Sequence, residues 1–315
     1  MSLEELEKIA ELETRLKQRL IIPLSELKPV SFSSIVLVLD AFQDLAESVV
    51  GVVSFLAKKH KCKVKLVCHH QTETECGKVL SAFREKLREK NVGDVEEYVS
   101  TDDVASFISM ITEGKLSLIV MPSPKSMEDS FKLIESFSQK LGFPMLIVER
   151  SSLAPERILG NVMVLVREPD DIKDPLPVLI SVCAEEASMT FLTYIGDYFL
   201  SSLDFLCSVL SEMSHMEKEK LVASACNMME KAIKEVKPSL IAQGFKVNHI
   251  IEAGIVDEAS INLMKKIGAH LIAIPVKMKL RPETKLVLLE TASFSSFLLI
   301  PKCPPESPAV PPKKS

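Results

Sequence analysis

Glycine is what this chain most conspicuously lacks. Its 315 residues include 10 glycines, roughly half the usual frequency of about 7%. The two closest, Gly244 and Gly254, are ten positions apart, so GxG, GxxG and GxGxxG are all absent. A dinucleotide fingerprint and a Walker-type phosphate loop are thereby excluded. Tryptophan is missing and aromatics are 5%, which argues against a stacking platform for single-stranded nucleic acid. No basic excess exists either: the net charge is −5, whereas a protein gripping a duplex by its phosphates carries a basic stripe. The seven cysteines contain no CxxC and no zinc-like spacing with histidine, so a reduced chain in a cytoplasmic setting is expected. The longest apolar candidate, 191–210, contains Asp197 and Asp204. Placing those charges in hydrocarbon would cost several kcal/mol, so no membrane insertion is expected. The N-terminus is acidic and then basic, unlike a signal peptide.

What is present is a regular alternation. Residues 3–20 form an amphipathic pattern through Leu6, Ile9, Leu12, Leu16 and Leu20, with acids early and bases late, an order that complements the helix dipole. This segment is either a helix packed on its own chain or a partner-docking arm. From residue 33 apolar runs alternate with helical patterns. Strands are expected at 34–40, 63–70, 95–100, 115–121 and 143–149, with helices at 44–60, 74–91, 102–113 and 127–141 between them. The third helix is expected to be capped by Thr101 or Asp102. Such alternation, with strands apolar on both faces, indicates a mostly parallel sheet covered on both sides.

The pattern then repeats. Strands are expected at 177–183, 202–211, 246–254, 269–277 and 295–302, with helices at 185–202, 217–242 and 257–267. The ends match best: KLSLIVMPSPK against GAHLIAIPVKM, and GFPMLIVER against SFSSFLLIPKC. A repeat of roughly 140 residues is too long for a solenoid unit and implies two copies of one domain. The division expected is 1–30 amphipathic helix and linker, 31–150 first domain, 151–176 connector, 177–303 second domain, and 304–315 a disordered Pro-rich tail. The connector's apolar run, Val162 to Val166, is either an edge strand or a bridge.

A first strand ending in Asp (IVLVLDAFQD), a fourth strand LIVMPS followed by a helix, and a last strand PMLIVER resemble the universal stress protein family in a tandem two-domain form. The resemblance implies two Rossmann-like domains, each an open, mostly parallel five-stranded sheet, packed as an intramolecular pseudo-dimer through their last strands. ATP-binding members carry G-x-x-G-x9-G-[ST] after the fourth strand. Here those positions hold Pro122, Lys125, Glu135 and Ser136. The spacing fits and the glycines do not. Prolines have no N–H to offer a phosphate, and Glu135 would set a carboxylate beside it. Asp40 fits the family's acidic nucleotide contact, and the second repeat is expected to hold Cys183 at that position.

The expectation is therefore a non-enzymatic stress-response, regulatory or scaffolding protein with no cofactor, acting through a protein partner or self-association. An alternative is ATP or AMP binding by the first domain alone, through Asp40, Ser123, Lys125, Ser126 and Ser136. A further alternative is a regulatory subunit of a cation transporter. No catalytic or metal residues are assigned. His69-His70 on a strand point to opposite faces and cannot share a metal. His249 reads as a core or edge residue, Asp170-Asp171 and Glu185-Glu186 as turn and helix-start residues, and the methionines as core filling.

Overall fold

The computed structural model describes residues 27–40, 46–69, 73–100, 103–124, 127–167, 170–195, 215–253, 258–276 and 280–302. The N-terminal amphipathic segment and the Pro-rich tail lie outside them. The first half runs β1 (Ser34–Asp40), α1 (Glu47–His60), β2 (Lys63–His69), α2 (Glu73–Glu89), β3 (Val95–Ser100), α3 (Val104–Thr112), β4 (Ser117–Pro122), α4 (Met127–Lys140) and β5 (Met145–Val148). The second runs α5 (Pro155–Ile158), β6 (Asn161–Val166), α6 (Asp170–Lys173), α7 (Leu176–Val182), β7 (Ser188–Ile195), α8 (His215–Ala242), β8 (Lys246–Ala253), α9 (Glu258–Ile267), β9 (Leu271–Val276), α10 (Pro282–Thr291) and β10 (Ser296–Pro301).

The two expected sheets are one sheet of ten strands, in the order β3-β2-β1-β4-β5-β10-β9-β6-β7-β8. Each half is parallel within itself, and the halves meet where β5 and β10 pair antiparallel. Leu146 and Leu298 face each other at that junction, so the register gives a residue-by-residue correspondence. Leu37 pairs with Val120 and Val120 with Leu146. Val164 pairs with Ala273 and Ala273 with Leu298. Counting along the strands, Pro122 corresponds to Pro275, and Asp40 corresponds to Arg167.

The strand sequences explain the layering. In β1, Ile35, Leu37 and Leu39 enter one core while Val36 and Val38 enter the other. Each such fully buried aliphatic contributes about 1.5–3 kcal/mol. Helices α1, α2, α7 and α8 cover the first face and α3, α4, α9 and α10 the second. Both cores run unbroken from one half into the other, holding Leu37 with Val164 on one side and Val36 with Met163 on the other. Helix α1 buries Val49, Val53 and Leu56 and ends at Lys61 in a left-handed conformation (φ 50°), whose N–H closes the last turn. Gly268 ends α9 similarly at φ +64°, a conformation that costs glycine nothing.

Polar contacts fasten the halves beyond β5 and β10. Lys59 donates to the carbonyls of Ile180 and Cys183, and His60 Nε2 lies 3.0 Å from the Ser181 carbonyl. Together they satisfy the carbonyls at the end of α7, which its own helix leaves unpaired. Ser181 Oγ donates to the Val30 carbonyl at 2.8 Å.

Four expectations are corrected. Residues 177–183, read as a strand, lie mostly in helix α7. A continuous apolar run fits a buried strand and a buried helix equally, and Pro175 and Pro177 preset the backbone for a first helical turn. Residues 185–202, read as a helix, contain strand β7, SMTFLTYI, rich in the β-branched and aromatic residues that favour sheets. The supposed connector run is β6, the central strand of the second half; the strand expected at 202–211 lies outside the described residues. Finally, α3 has Asp103 as its N-cap residue; its carboxylate pairs with Ser106 and with Lys140 of α4.

The cysteines also differ from an all-thiol chain. Cys68 and Cys76 are joined as a disulfide, with Cα atoms 5.6 Å apart, a separation that suits a bridge. They come from the end of β2 and the start of α2, so topology rather than sequence spacing brings them together. Cys62, Cys183 and Cys226 are free. Burial pushes the Cys183 thiol up to about 12 and the Cys62 thiol to about 11, which makes both poor nucleophiles.

Candidate functional site: the two switch points

In open parallel sheets, ligands sit beyond the carboxyl ends of the strands where the strand order reverses. This sheet has two such places, between β1 and β4 and between β6 and β9.

At the first, Asp40 is the last residue of β1 and pairs in register with His69. Beyond Pro122, the Ser123 N–H donates to the Val148 carbonyl at 2.7 Å, prolonging the β4–β5 ladder. The Ser123 carbonyl accepts Arg150 Nε at 2.9 Å. The loop's first amide and carbonyl are thus committed to the protein, and Pro122 and Pro124 bring no N–H at all. Lys125 and Ser126 lie outside the described residues. Ser136 lies well inside α4, nine positions after Met127, about 14 Å along the axis from the loop. The structure therefore brings Asp40 and Ser123 to one edge and carries Ser136 away from it. Sequence reading missed Arg150; the signal was a basic residue two positions beyond an apolar last strand, PMLIVER.

Glu135, at the third glycine position, has work elsewhere. It pairs with Lys285 of α10 at 3.1 Å and accepts the Leu280 N–H at 3.3 Å. Lys285 also sits 5.4 Å over the Phe131 ring. The helix that follows a phosphate loop in a nucleotide binder here joins the two halves.

At the second switch point the correspondence expected for Asp40 is corrected: the matching residue is Arg167, not Cys183. Cys183 lies beyond α7 and is fully buried; the misplacement followed from reading 177–183 as the first strand. Arg167 Nη2 donates to the Pro275 carbonyl at 2.7 Å and Nη1 to Thr284 Oγ1 at 3.2 Å. One guanidinium thus spans from the end of β9 to the first turn of α10. Asp171, fully buried in α6, accepts the Arg167 N–H at 2.8 Å and pairs with Lys302. Lys302 corresponds to Arg150. Asp171 sits in the short helix α6, and its carboxylate also faces two partly buried cations, Arg167 and Lys302.

The remaining candidates are quiet. His69 Nδ1 lies 3.0 Å from the Ser100 carbonyl. His249 is half-buried on edge strand β8, and Glu185 and Glu186 are exposed in a turn. Among the described residues no cluster of three His, Cys, Asp or Glu could hold a metal. A cavity of about 1100 Å³ opens at the opposite, N-terminal ends of the first-half strands. There Lys63 pairs with Glu96 at 2.9 Å, Tyr98 donates to Glu96 at 2.8 Å, and Lys115 pairs with Glu113 at 2.7 Å, so its acids are already matched.

No family model matches the sequence, and no curated protein does. Solved structures do. A functionally unknown protein of Pseudomonas aeruginosa PAO1 is similar at 15% identity, covering 86% of this chain and 92% of its own, with a TM-score of 0.52. A protein of Pseudomonas aeruginosa UCBPP-PA14 named as a universal stress protein is similar at 12% identity, 86% and 93% coverage, and a TM-score of 0.52. The cytoplasmic domain of a prokaryotic cation chloride cotransporter is similar at 14% identity, 87% and 96% coverage, and a TM-score of 0.51. At these identities the likeness establishes the fold: a universal-stress-protein-like α/β arrangement with one large, mostly parallel sheet. Among the described residues no helix is long and apolar enough to cross a membrane.

Proposed function

We propose that this chain is a non-enzymatic regulatory or scaffolding protein, built as two universal-stress-protein-like repeats that hold their fold without nucleotide. The observation that carries this reading is Glu135. A carboxylate occupies the sequence position of the motif's third glycine, which here lies inside α4, and it is committed to Lys285 and Leu280 across the junction. The prolines of the first loop and Arg167 at the second switch point support the same reading. Such a protein would act in the cytoplasm by presenting its surface to a protein partner or to another copy of itself, with residues 3–20 as the first contact to test.

The test is calorimetric titration with ATP, ADP and AMP. No heat is expected at millimolar nucleotide. Micromolar binding that disappears in Asp40→Ala would replace this reading with nucleotide binding by the first repeat, through Asp40, Ser123, Lys125 and Ser126, with Ser136 at a distance.

A second reading has one observation in its favour. The cotransporter domain shares the fold across 96% of its length, so a role as a regulatory subunit beside a cation transporter fits the architecture. Co-purification with a transporter from native membranes would favour it over a free-standing scaffold.

A further inference from the structure

We propose that the cavity at the N-terminal ends of the first-half strands is the docking place of the chain's own residues 3–20, with the acidic half of that segment set against the cavity's lysines. The inference goes beyond the reading above. It gives the segment a resting place on its own chain, from which an outside partner has to displace it. It stands whether or not nucleotide binds at either switch point.

Three observations carry it. The first is charge. The chain as a whole is acidic, at −5, yet this cavity of about 1100 Å³ is lined by five lysines and three carboxylates. Lys63 takes up Asp94 and Glu96, and Lys115 takes up Glu113. Lys65 donates to the Ile111 carbonyl near the end of α3. Lys58 and Lys61 are left exposed, with no acidic partner among the described residues.

The second is complementarity. Residues 3–14 hold Glu4, Glu5, Glu7, Glu11 and Glu13 against Lys8 alone, and further bases begin only at Arg15. Between the acids, Leu6, Ile9 and Leu12 recur at steps of three. Beside its lysines the cavity presents Met110, 66% exposed, a side chain that adapts to irregular apolar partners. An acidic amphipathic segment thus has a basic wall and an apolar contact to meet.

The third is where the chain enters. The described residues begin at Leu27, and Ser31 and Phe32 already line the cavity. Val30 fixes the entry by two bonds to α7, from its N–H to the Pro177 carbonyl at 3.3 Å and from Ser181 Oγ to its carbonyl at 2.8 Å. The stretch from Leu20 to Leu27 spans up to ~25 Å, and that from Leu27 to Ser31 no more than ~14 Å. Pro23 breaks the helical pattern between them, so the segment can turn back and reach the lysines.

The test is carbodiimide cross-linking of the full chain, which joins a carboxylate to a lysine amine as an amide while the carbodiimide takes up the water and becomes a urea. An equal mixture of isotope-labelled and unlabelled chain is used. Links from Glu4, Glu7 or Glu11 to Lys58 or Lys61 are expected within one isotope only. Links between labelled and unlabelled chains would give the cavity to a second copy, and no link to either lysine would leave it without the segment; both results overturn the proposal. Hydrogen exchange supplies the second measurement. Lys58→Glu with Lys61→Glu should speed exchange at amides 3–14 about fivefold, and adding Glu4→Lys with Glu7→Lys should slow it again. Both lysines also suit the C-terminal end of the α1 dipole, but that role alone would leave amides 3–14 unmoved, and such a result would sink the idea. Inorganic phosphate at about 10 mM, with ionic strength matched by sodium chloride, should leave that exchange as it is. Faster exchange in phosphate would assign the cavity to a small anion instead.

Discussion

The two switch points of this sheet are built on the same frame and finished with opposite chemistry. In the first half, β1 ends in Asp40 and the loop after β4 is held by backbone bonds and by Arg150 on the Ser123 carbonyl. In the second half, β6 leads into Arg167, and a buried carboxylate balances it together with Lys302. One edge is held by hydrogen bonds to loop carbonyls, the other by a charge network around a buried carboxylate. The strands tolerate either, because register and burial are set by the aliphatic residues upstream. What differs is what each edge loses when a side chain is removed.

That difference is open to measurement. The largest effect is expected for Asp171→Asn, which takes the fully buried carboxylate away from the partly buried Arg167 and Lys302; a loss of about 3–5 kcal/mol in denaturant unfolding is expected. Arg150→Ala at the matching edge removes one hydrogen bond to a carbonyl and should cost about 1 kcal/mol. Equal losses at the two edges would break the comparison. Next comes the contact between the halves. A double-mutant cycle on Glu135→Ala and Lys285→Ala should give a coupling of about 0.5–1 kcal/mol, since both side chains are partly exposed. A coupling of zero would remove Glu135 from the junction.

The smallest effects are in pH. Burial is the main cause that lowers the His60 pKa from 6.5. Its neutral ring is therefore favoured in the folded state, and its contribution is in place above pH 6.5 and lost as pH falls through the folded value. Asp103 is held down to about 2, first by its bond to Lys140. Its contribution is present above the usual value of 3.8 and lost as pH falls toward 2. A melting-temperature profile should thus show one modest step below pH 6.5 and another below pH 4, with His60→Gln abolishing only the first.

Much of the first half was legible in the sequence because its strands and helices differ in kind. IVLVLD, KLVC and LIVM are short β-rich runs between amphipathic helices of ordinary length, and the period separates them. The second half was harder at its start. LPVLISV and SMTFLTYI are both short and apolar, and period does not decide between a buried helix and a buried strand. The matched ends, AHLIAIPVK and SSFLLIPK, were correctly paired with their first-half counterparts, and the strand register agrees with that alignment. Reading 177–183 as the first strand then moved the Asp40 position onto Cys183 and hid Arg167. Asp171 and Lys302 were illegible for another reason: the pairing spans 131 positions (302 − 171), and nothing local to either residue announces it. The Cys68–Cys76 bond has the same origin, since a strand end and a helix start meet only once the sheet exists.

The central claim is that neither edge needs or holds a nucleotide. Native mass spectrometry of the full chain, with ATP added to on the order of 1 mM, tests it most directly. The expected result is the bare mass of the chain, in wild type and in Asp40→Ala alike. A peak carrying one nucleotide in the wild type and lost in Asp40→Ala would contradict the account.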